Sequence, residues 1–218
     1  MLHPVNRRTF LGALGGATVL PAFVRAVEAR AIHQDLTSQD WDLSWVNDLD
    51  RVRHKQVFDM GTLDWGTHVT TNYLAAFQDL LKLGAPDVVA LVGIASSAFP
   101  MNASDALWAK YQLGEKWEVR DPATGEWATR NIFDLDPAPR PLRAEDAVSN
   151  LAARGTIFWQ CHNALTGVSE QLAAATGATP AAMYQELRAG LLPHVRMVPA
   201  HTMLIGLVQE HGATYEKL

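Results

Sequence analysis

The stretch Arg154-Gly155-Thr156-Ile157-Phe158-Trp159-Gln160-Cys161-His162-Asn163 determines the fold class that we predict for the whole chain. Its glycine turn leads into a short apolar run, and that run ends on the only cysteine of the sequence. A helical pattern follows over 164–176, and Gly177 ends it. A short apolar strand followed at once by a helix is typical of a parallel sheet, so we predict a buried strand with a thiol at its carboxyl end.

Strands and helices alternate in the same way along the rest of the chain. The run over 87–94 is apolar without alternation, as in a strand that is buried on both faces of a parallel sheet. We therefore predict an α/β fold, a three-layer α/β/α sandwich around a mainly parallel five-stranded sheet with flavodoxin-like topology. The predicted strands are 54–60, 87–94, the strand that ends at 161, 195–200 and 213–217. The predicted helices are 67–83, about 105–113, 144–153, 164–176, 180–191 and 201–211.

One segment interrupts this alternation. Two short β-like runs, 116–120 and 126–132, flank Asp121-Pro122-Ala123-Thr124-Gly125, in which the glycine suits a left-handed turn position. We predict a β-hairpin excursion over about 114–142. The proline-rich segment 136–141 is expected to be an extended connector that leads back into the sandwich.

The N-terminus has the order of an export leader. Asn6-Arg7-Arg8-Thr9-Phe10-Leu11-Gly12 resembles a twin-arginine (Tat) signal, a weakly apolar run over 10–24 follows, and Ala29-Arg30-Ala31 fits a small-x-small cleavage pattern. We predict a leader over 1–31, an N-terminal arm over 32–53 and the α/β domain over 54–218. The predicted location is the periplasm.

A retained leader is the competing interpretation of the same segment. Fifteen apolar residues at about 1.5 Å each span about 22 Å, which is short of the roughly 30 Å hydrocarbon core of a bilayer. Extension to Val27 brings in Arg25, whose long side chain can reach the interface. Membrane attachment through residues 9–27 therefore stays open as the alternative.

Composition excludes some classes of function. The net charge of −5 over 218 residues leaves no basic surface for a phosphate backbone, so we predict no nucleic-acid partner. With one cysteine the chain forms no intramolecular disulfide. A phosphate-binding loop is also absent from the glycine-bounded segment 61–66.

The candidate site residues follow from the predicted sheet. Sites in such folds lie at the carboxyl ends of the strands, where we expect Cys161, His162 and Asn163, together with the residues that follow 60, 94 and 199. His162 and the helix that follows favour a reactive thiolate at Cys161, although an inert buried thiol is the simpler alternative. His68, His162 and His201 are the candidates for a metal site, with surface or hydrogen-bonded histidines as the simpler interpretation. No cofactor is predicted, and Asp59 and Asp64 near the end of the first strand are interpreted as turn formers.

The second half of the chain resembles a known family. The pattern runs from Arg154-Gly155 through Cys161-x-Asn163 to Leu192-Pro193-x-Val195-x-x-Val198-Pro199-Ala200 and Gln209-x-x-Gly212-x-x-Tyr215. In these motifs the chain resembles the DsrE/DsrF-like proteins of sulfur metabolism, over about 54–113 and 144–218. The resemblance implies a small α/β domain that commonly oligomerises, and in some members a cysteine that carries persulfide sulfur, matched here by Cys161.

The chain also departs from that family. Histidine occupies positions 162 and 201, where the family pattern often has glycine, and the excursion and the leader are additions. Family members that relay sulfur work mostly in the cytoplasm. Two functions are therefore expected: an exported sulfur or redox protein with a persulfide on Cys161, or a non-catalytic accessory subunit that docks on a membrane redox or electron-transport complex. Protein partners, either further copies or a larger complex, are expected in both cases.

Overall fold

The computed structural model of the protein describes residues 41–63, 66–134 and 143–218. The predicted leader, the first part of the predicted arm and the connector over 136–141 lie outside these residues. Within the three described ranges, no helix is both long enough and apolar enough to cross a membrane.

The sheet has five strands, and every pair of neighbours is parallel. Their order is β4-β3-β2-β1-β5, so the first four strands follow one another in space and the last returns to the outer side of β1. The predicted three-layer α/β sandwich is confirmed. In the flavodoxin-like order β1 is second from an edge of the sheet, and the same holds here. The strand outside β1 differs: it is β2 in the flavodoxin-like order and β5, the last strand of the chain, in this protein. The strands are β1 (His54–Met60), β2 (Val88–Ile94), β3 (Ile157–Cys161), β4 (Val195–Val198) and β5 (Thr214–Lys217).

Eight α-helices in the described ranges cover the two faces of the sheet. The second of them continues into a π-helical turn, Phe77–Leu81, and four short 3-10 turns link other elements. Thr179 caps a helix as predicted, because its hydroxyl accepts a hydrogen bond from the backbone N–H of Ala182 at 3.2 Å. The helices are α1 (Trp45–Asp48), α2 (Gly66–Ala76), α3 (Asp105–Tyr111), α4 (Leu113–Lys116), α5 (Val148–Ala153), α6 (His162–Thr176), α7 (Pro180–Ala189) and α8 (His201–Glu210).

The larger core lies on one face of the sheet, against helices α2 to α7. Alternate strand residues point into it, among them Phe58, Val92 and Phe158, all without solvent exposure. Every residue of β2 is buried, as the apolar run over 87–94 predicts for the central strand.

The opposite face is covered by α8 together with the end of the N-terminal arm. Trp45 of α1 and Leu49 of the following 3-10 turn pack with Val57, Trp159 and Leu204 in the second core. The part of the arm that the structure describes therefore belongs to the helical layer of the fold. It substitutes for a second long helix on that face.

The predicted excursion is present, but its hairpin is reduced to one antiparallel bridge, Arg120 to Trp127. The chain reverses where expected, with Gly125 at a φ of 77°. Strand pairing does not extend further, because Glu118 has a φ of 57° and Lys116 ends helix α4. A left-handed residue interrupts the extended backbone that a longer hairpin needs.

Candidate functional site

Cys161 is the last residue of β3 and the residue that caps α6. Its Sγ accepts a hydrogen bond from the backbone N–H of Ala164, at 3.4 Å, in the first turn of α6. It accepts a second from the backbone N–H of His201, at 3.3 Å, at the start of α8. The sulfur therefore lies where two helices begin.

This position has two chemical consequences. Amide donors and the positive ends of two helix dipoles stabilise a negative charge on the sulfur. At the same time Cys161 is only 5% exposed, so a reagent that reaches it must be small. The geometry places Sγ beside two amide donors, at a point that only a small molecule can reach.

The ring of His201 joins a chain of hydrogen bonds across the same edge of the sheet. The indole N–H of Trp159 donates to Nδ1 of His201 at 3.1 Å, and Nε2 of His201 lies 2.8 Å from Oδ1 of Asp59. Because an indole nitrogen only donates, Nδ1 of His201 is unprotonated and its Nε2–H donates to Asp59. The hydroxyl of Tyr215 donates to the other carboxylate oxygen of Asp59 at 2.8 Å.

Tyr215 is the solvent end of this chain, at 44% exposure, whereas Trp159 is fully buried. The hydrogen bond to Asp59, followed by partial burial and the carboxylate charge, raises the pKa of Tyr215 above its usual 10.0. The phenol is thus held in its protonated form.

Gly93 makes this arrangement possible. It lies between Asp59 of β1 and Trp159 of β3 in the register of the sheet. A Cβ at position 93 would lie 2.4 Å from the Trp159 ring and 2.6 Å from the His201 ring. Two aromatic rings can cover the centre of the sheet only because this position has no side chain.

The other two predicted site residues are placed differently. The ring of His162 points toward α7, where its Nδ1 lies 2.9 Å from the hydroxyl of Tyr184, and its other ring neighbour is Trp41. Burial raises the pKa of Tyr184 to about 12, so its hydroxyl stays protonated. Asn163 is exposed on the first turn of α6, two residues after Cys161.

The histidines proposed as metal ligands are engaged in separate networks. Nδ1 of His68 lies 3.2 Å from Oδ2 of the buried Asp146, and the guanidinium of Arg143 lies 3.2 Å from the same nitrogen. His201 uses both ring nitrogens in hydrogen bonds. Across the described part of the chain, no three His, Cys, Asp or Glu side chains are grouped in a way that could hold a metal ion.

The sequence interpretation missed the partners of His201. Asp59 lies inside β1, whose bounds were predicted, but its carboxylate pairs with His201 and Tyr215 and forms no turn, so the turn interpretation was wrong. A signal was present, since Asp59 is a charged residue between the apolar Phe58 and Met60, on the strand face that Val57 shares. A carboxylate on a half-buried strand face requires a donor, and here His201 and Tyr215 provide it.

Comparisons of the chain with protein-family models, with curated proteins and with solved structures found no match.

Proposed function

We propose that this protein is an exported α/β protein of periplasmic sulfur or redox metabolism that accepts sulfane sulfur as a persulfide on Cys161. The observation that supports it is the convergence of two helix-initial backbone N–H groups on Sγ of Cys161. The resemblance to DsrE/DsrF-like proteins in the motifs around Cys161 and Val198 gives the proposal its sulfur chemistry.

The proposed step is a sulfur transfer that needs no external oxidant. The Cys161 thiolate attacks the outer sulfur of an inorganic polysulfide and forms a new sulfur–sulfur bond. The adjacent sulfur–sulfur bond of the donor breaks, and its electron pair leaves on the shortened polysulfide. Attack of a small acceptor thiolate on the outer sulfur then regenerates the Cys161 thiolate.

The neighbouring residues have distinct roles in this proposal. The N–H groups of Ala164 and His201 stabilise charge on Sγ, and exposed Asn163 contacts the outer sulfur. His162 acts as a positioning residue, because its bond to Tyr184 holds the start of α6 against α7.

Intact mass after incubation with inorganic polysulfide tests the proposal. We expect one added sulfur, about 32 Da, on the wild-type chain and none on Cys161→Ala. An unmodified wild-type chain whose Cys161 also resists a small alkylating agent in the native state would refute persulfide formation.

A pair of variants at His201 isolates the contribution of the backbone donor. His201→Ala removes the ring and keeps the N–H, whereas His201→Pro removes both, and proline is tolerated at the first position of a helix. A hydrogen bond to a charged group contributes about 1.5–3 kcal/mol, so we expect alkylation of Cys161 to be at least about tenfold slower in His201→Pro than in His201→Ala. Equal rates would show that this amide does not activate the thiol.

One observation favours the accessory-subunit alternative. On the excursion the guanidinium of Arg120 stacks over the ring of Trp127 at 3.8 Å, and Trp127 is 36% exposed. Arginine and tryptophan are enriched at the centres of protein interfaces. In this second candidate function a retained leader holds the chain at the membrane and the excursion contacts a redox complex.

The native protein distinguishes the two candidates. Intact mass of the chain from the membrane fraction reports whether the leader is present, and a species that begins near Ile32 would contradict the anchored subunit. Trp127→Ala is expected to release an anchored chain from its complex and to leave persulfide formation on Cys161 unchanged.

A further inference from the structure

A groove of about 490 Å³ lies at the amino ends of β2 and β3, at the edge of the sheet opposite Cys161. Its volume is within the range of small-ligand sites. It lies between the end of α2 with its π-helical turn, the loop that leads into β2, and the end of α5. The lining residues are Leu74, Gln78, Lys82, Leu83, Gly84, Ala85, Val88, Ala153 and Arg154.

The lining of this groove combines an apolar floor with two cations. Leu74 and Val88 belong to the larger core, and Leu83 packs against it. Among the described residues that line the groove, Lys82 and Arg154 are the charged ones and none is acidic. Neither cation forms an ion pair with another residue of the described ranges, and Nζ of Lys82 donates to the backbone oxygen of Asp79 at 2.8 Å.

The backbone beside the groove is unusual in two respects. Helix α2 ends in a π-helical turn, Phe77–Leu81, and Lys82 follows in the left-handed region at a φ of 56°. Positive φ is costly for a residue other than glycine, and π-helical turns occur frequently at functional sites. The same turn leaves Leu80 79% and Leu81 57% exposed, the two largest exposures among the large apolar side chains of the described residues.

We propose that this groove binds a free single-chain amphiphile with an anionic head group, such as a medium-chain carboxylate. The apolar floor takes the chain, and Lys82 and Arg154 take the carboxylate. The exposed leucines extend the apolar surface beside the groove. A concave groove with two cations suits a single chain that ends in one anionic head group.

Titration calorimetry of the full chain with decanoate, below its micelle concentration, tests the proposal. We expect saturable binding of one decanoate per chain. Decanol and decyltrimethylammonium have the same chain length without the anionic charge. We expect both to bind at least about fivefold more weakly than decanoate, which is the affinity that one exposed ion pair contributes. Cys161→Ala should bind decanoate as the wild type does, because the groove is at the other end of the sheet.

Variants locate the binding site. Arg154→Gln and Lys82→Gln should each weaken decanoate binding by about fivefold, whereas Arg51→Gln, which removes a cation that is 88% exposed on another part of the surface, should leave it unchanged. Ala153→Trp places a large ring at the rim and should abolish binding. Circular dichroism and the melting temperature show that each variant is folded.

Three results would overturn the proposal. The first is the absence of saturable decanoate binding by the folded wild-type chain. The second is equal affinity for the anionic and the cationic amphiphile, which would show a merely apolar surface. The third is binding to vesicles of anionic phospholipid without binding of free decanoate, which would identify this surface as a membrane contact.

Discussion

The sulfur of Cys161 meets the backbone N–H of His201 because of the register of two neighbouring strands. Cys161 pairs with Val198 in the sheet, so β3 and β4 end side by side. Helix α6 begins directly after β3, and α8 begins three residues after Val198. Both helices therefore direct their first amides toward the same point, and the residue at the end of β3 lies between them.

The bond between Tyr215 and Asp59 predicts a measurable tyrosine shift. In Asp59→Asn the carboxylate acceptor and its charge are lost, so we expect the pKa of Tyr215 to fall toward its usual 10.0. Near-ultraviolet absorbance is titrated in Asp59→Asn and in the double variant that also carries Tyr215→Phe. The difference between the two titrations reports the phenol of Tyr215 alone. A pKa of Tyr215 that is the same in Asp59→Asn and in the wild type would show that the carboxylate does not hold the proton.

Gly93→Ala tests the close packing at the centre of the sheet. The added Cβ meets the rings of Trp159 and His201 at distances under 3.0 Å, so one ring has to move. Overpacking of this kind costs about 1–3 kcal/mol, measured as the free energy of unfolding in urea. The matched control is Gly206→Ala in α8, where the added methyl group meets open space and should stabilise the helix by about 0.5–1 kcal/mol. Equal stability of Gly93→Ala and the wild type would refute the ring contact.

At the scale of elements, the arm has a larger role than its sequence indicates. Its composition is largely polar, yet Trp45, Val46 and Leu49 are at most 6% exposed. These side chains cover the part of the sheet that α8 leaves open. The part of the arm after residue 41 is therefore required to close the second core.

Leu49→Ala measures that contribution. Leu49 is 2% exposed in a core with Val57 and Trp159, and truncation of a buried leucine costs about 2–5 kcal/mol. Leu80→Ala removes the same atoms from a side chain that is 79% exposed, and its cost should stay within about 0.5 kcal/mol. Urea unfolding compares the two variants, and similar losses in both would show that the arm is not part of the core.

Strands β2 and β3 could be predicted because each is a largely apolar run bounded by turn residues. β1 has the predicted bounds, and β2 differs by one residue. The loss of strand pairing within the excursion could not be predicted, because glutamate rarely adopts the left-handed conformation that Glu118 has here. Nothing in the local sequence marks that position.

The candidate site could be predicted only in part. The end of β3 follows from the strand pattern, and the topology of parallel sheets brings Cys161 and His201 to one edge. The pairing of His201 with Asp59 joins residues 142 positions apart, and it depends on strand order and on space above Gly93. These are properties of the assembled sheet, so no local pattern contains them.

At the scale of the whole molecule, the buried Asp146 and the half-buried His194 make stability depend on pH. Burial alone would raise the pKa of Asp146, but hydrogen bonds, among them those from the backbone N–H of Arg143 and from His68, outweigh it and hold this pKa below 3.8. Burial lowers the pKa of His194 below 6.5, with a smaller opposite effect from Asp134. Both groups bind fewer protons in the folded state than in the unfolded state at acid pH.

The sign of the effect is therefore the same for both groups: the chain loses stability as the pH falls. The loss from His194 begins as the pH falls through about 6.5, where the unfolded histidine gains its proton, and the loss from Asp146 begins near 3.8. Urea unfolding between about pH 3 and 8 should show two separate declines. His194→Gln should remove the decline at the higher pH, and Asp146→Asn should remove the decline at the lower pH. Asp146→Asn should also lower the free energy of unfolding at neutral pH, because the hydrogen bonds to the carboxylate are weakened. A single decline that both variants leave unchanged would show that other carboxylates govern acid unfolding.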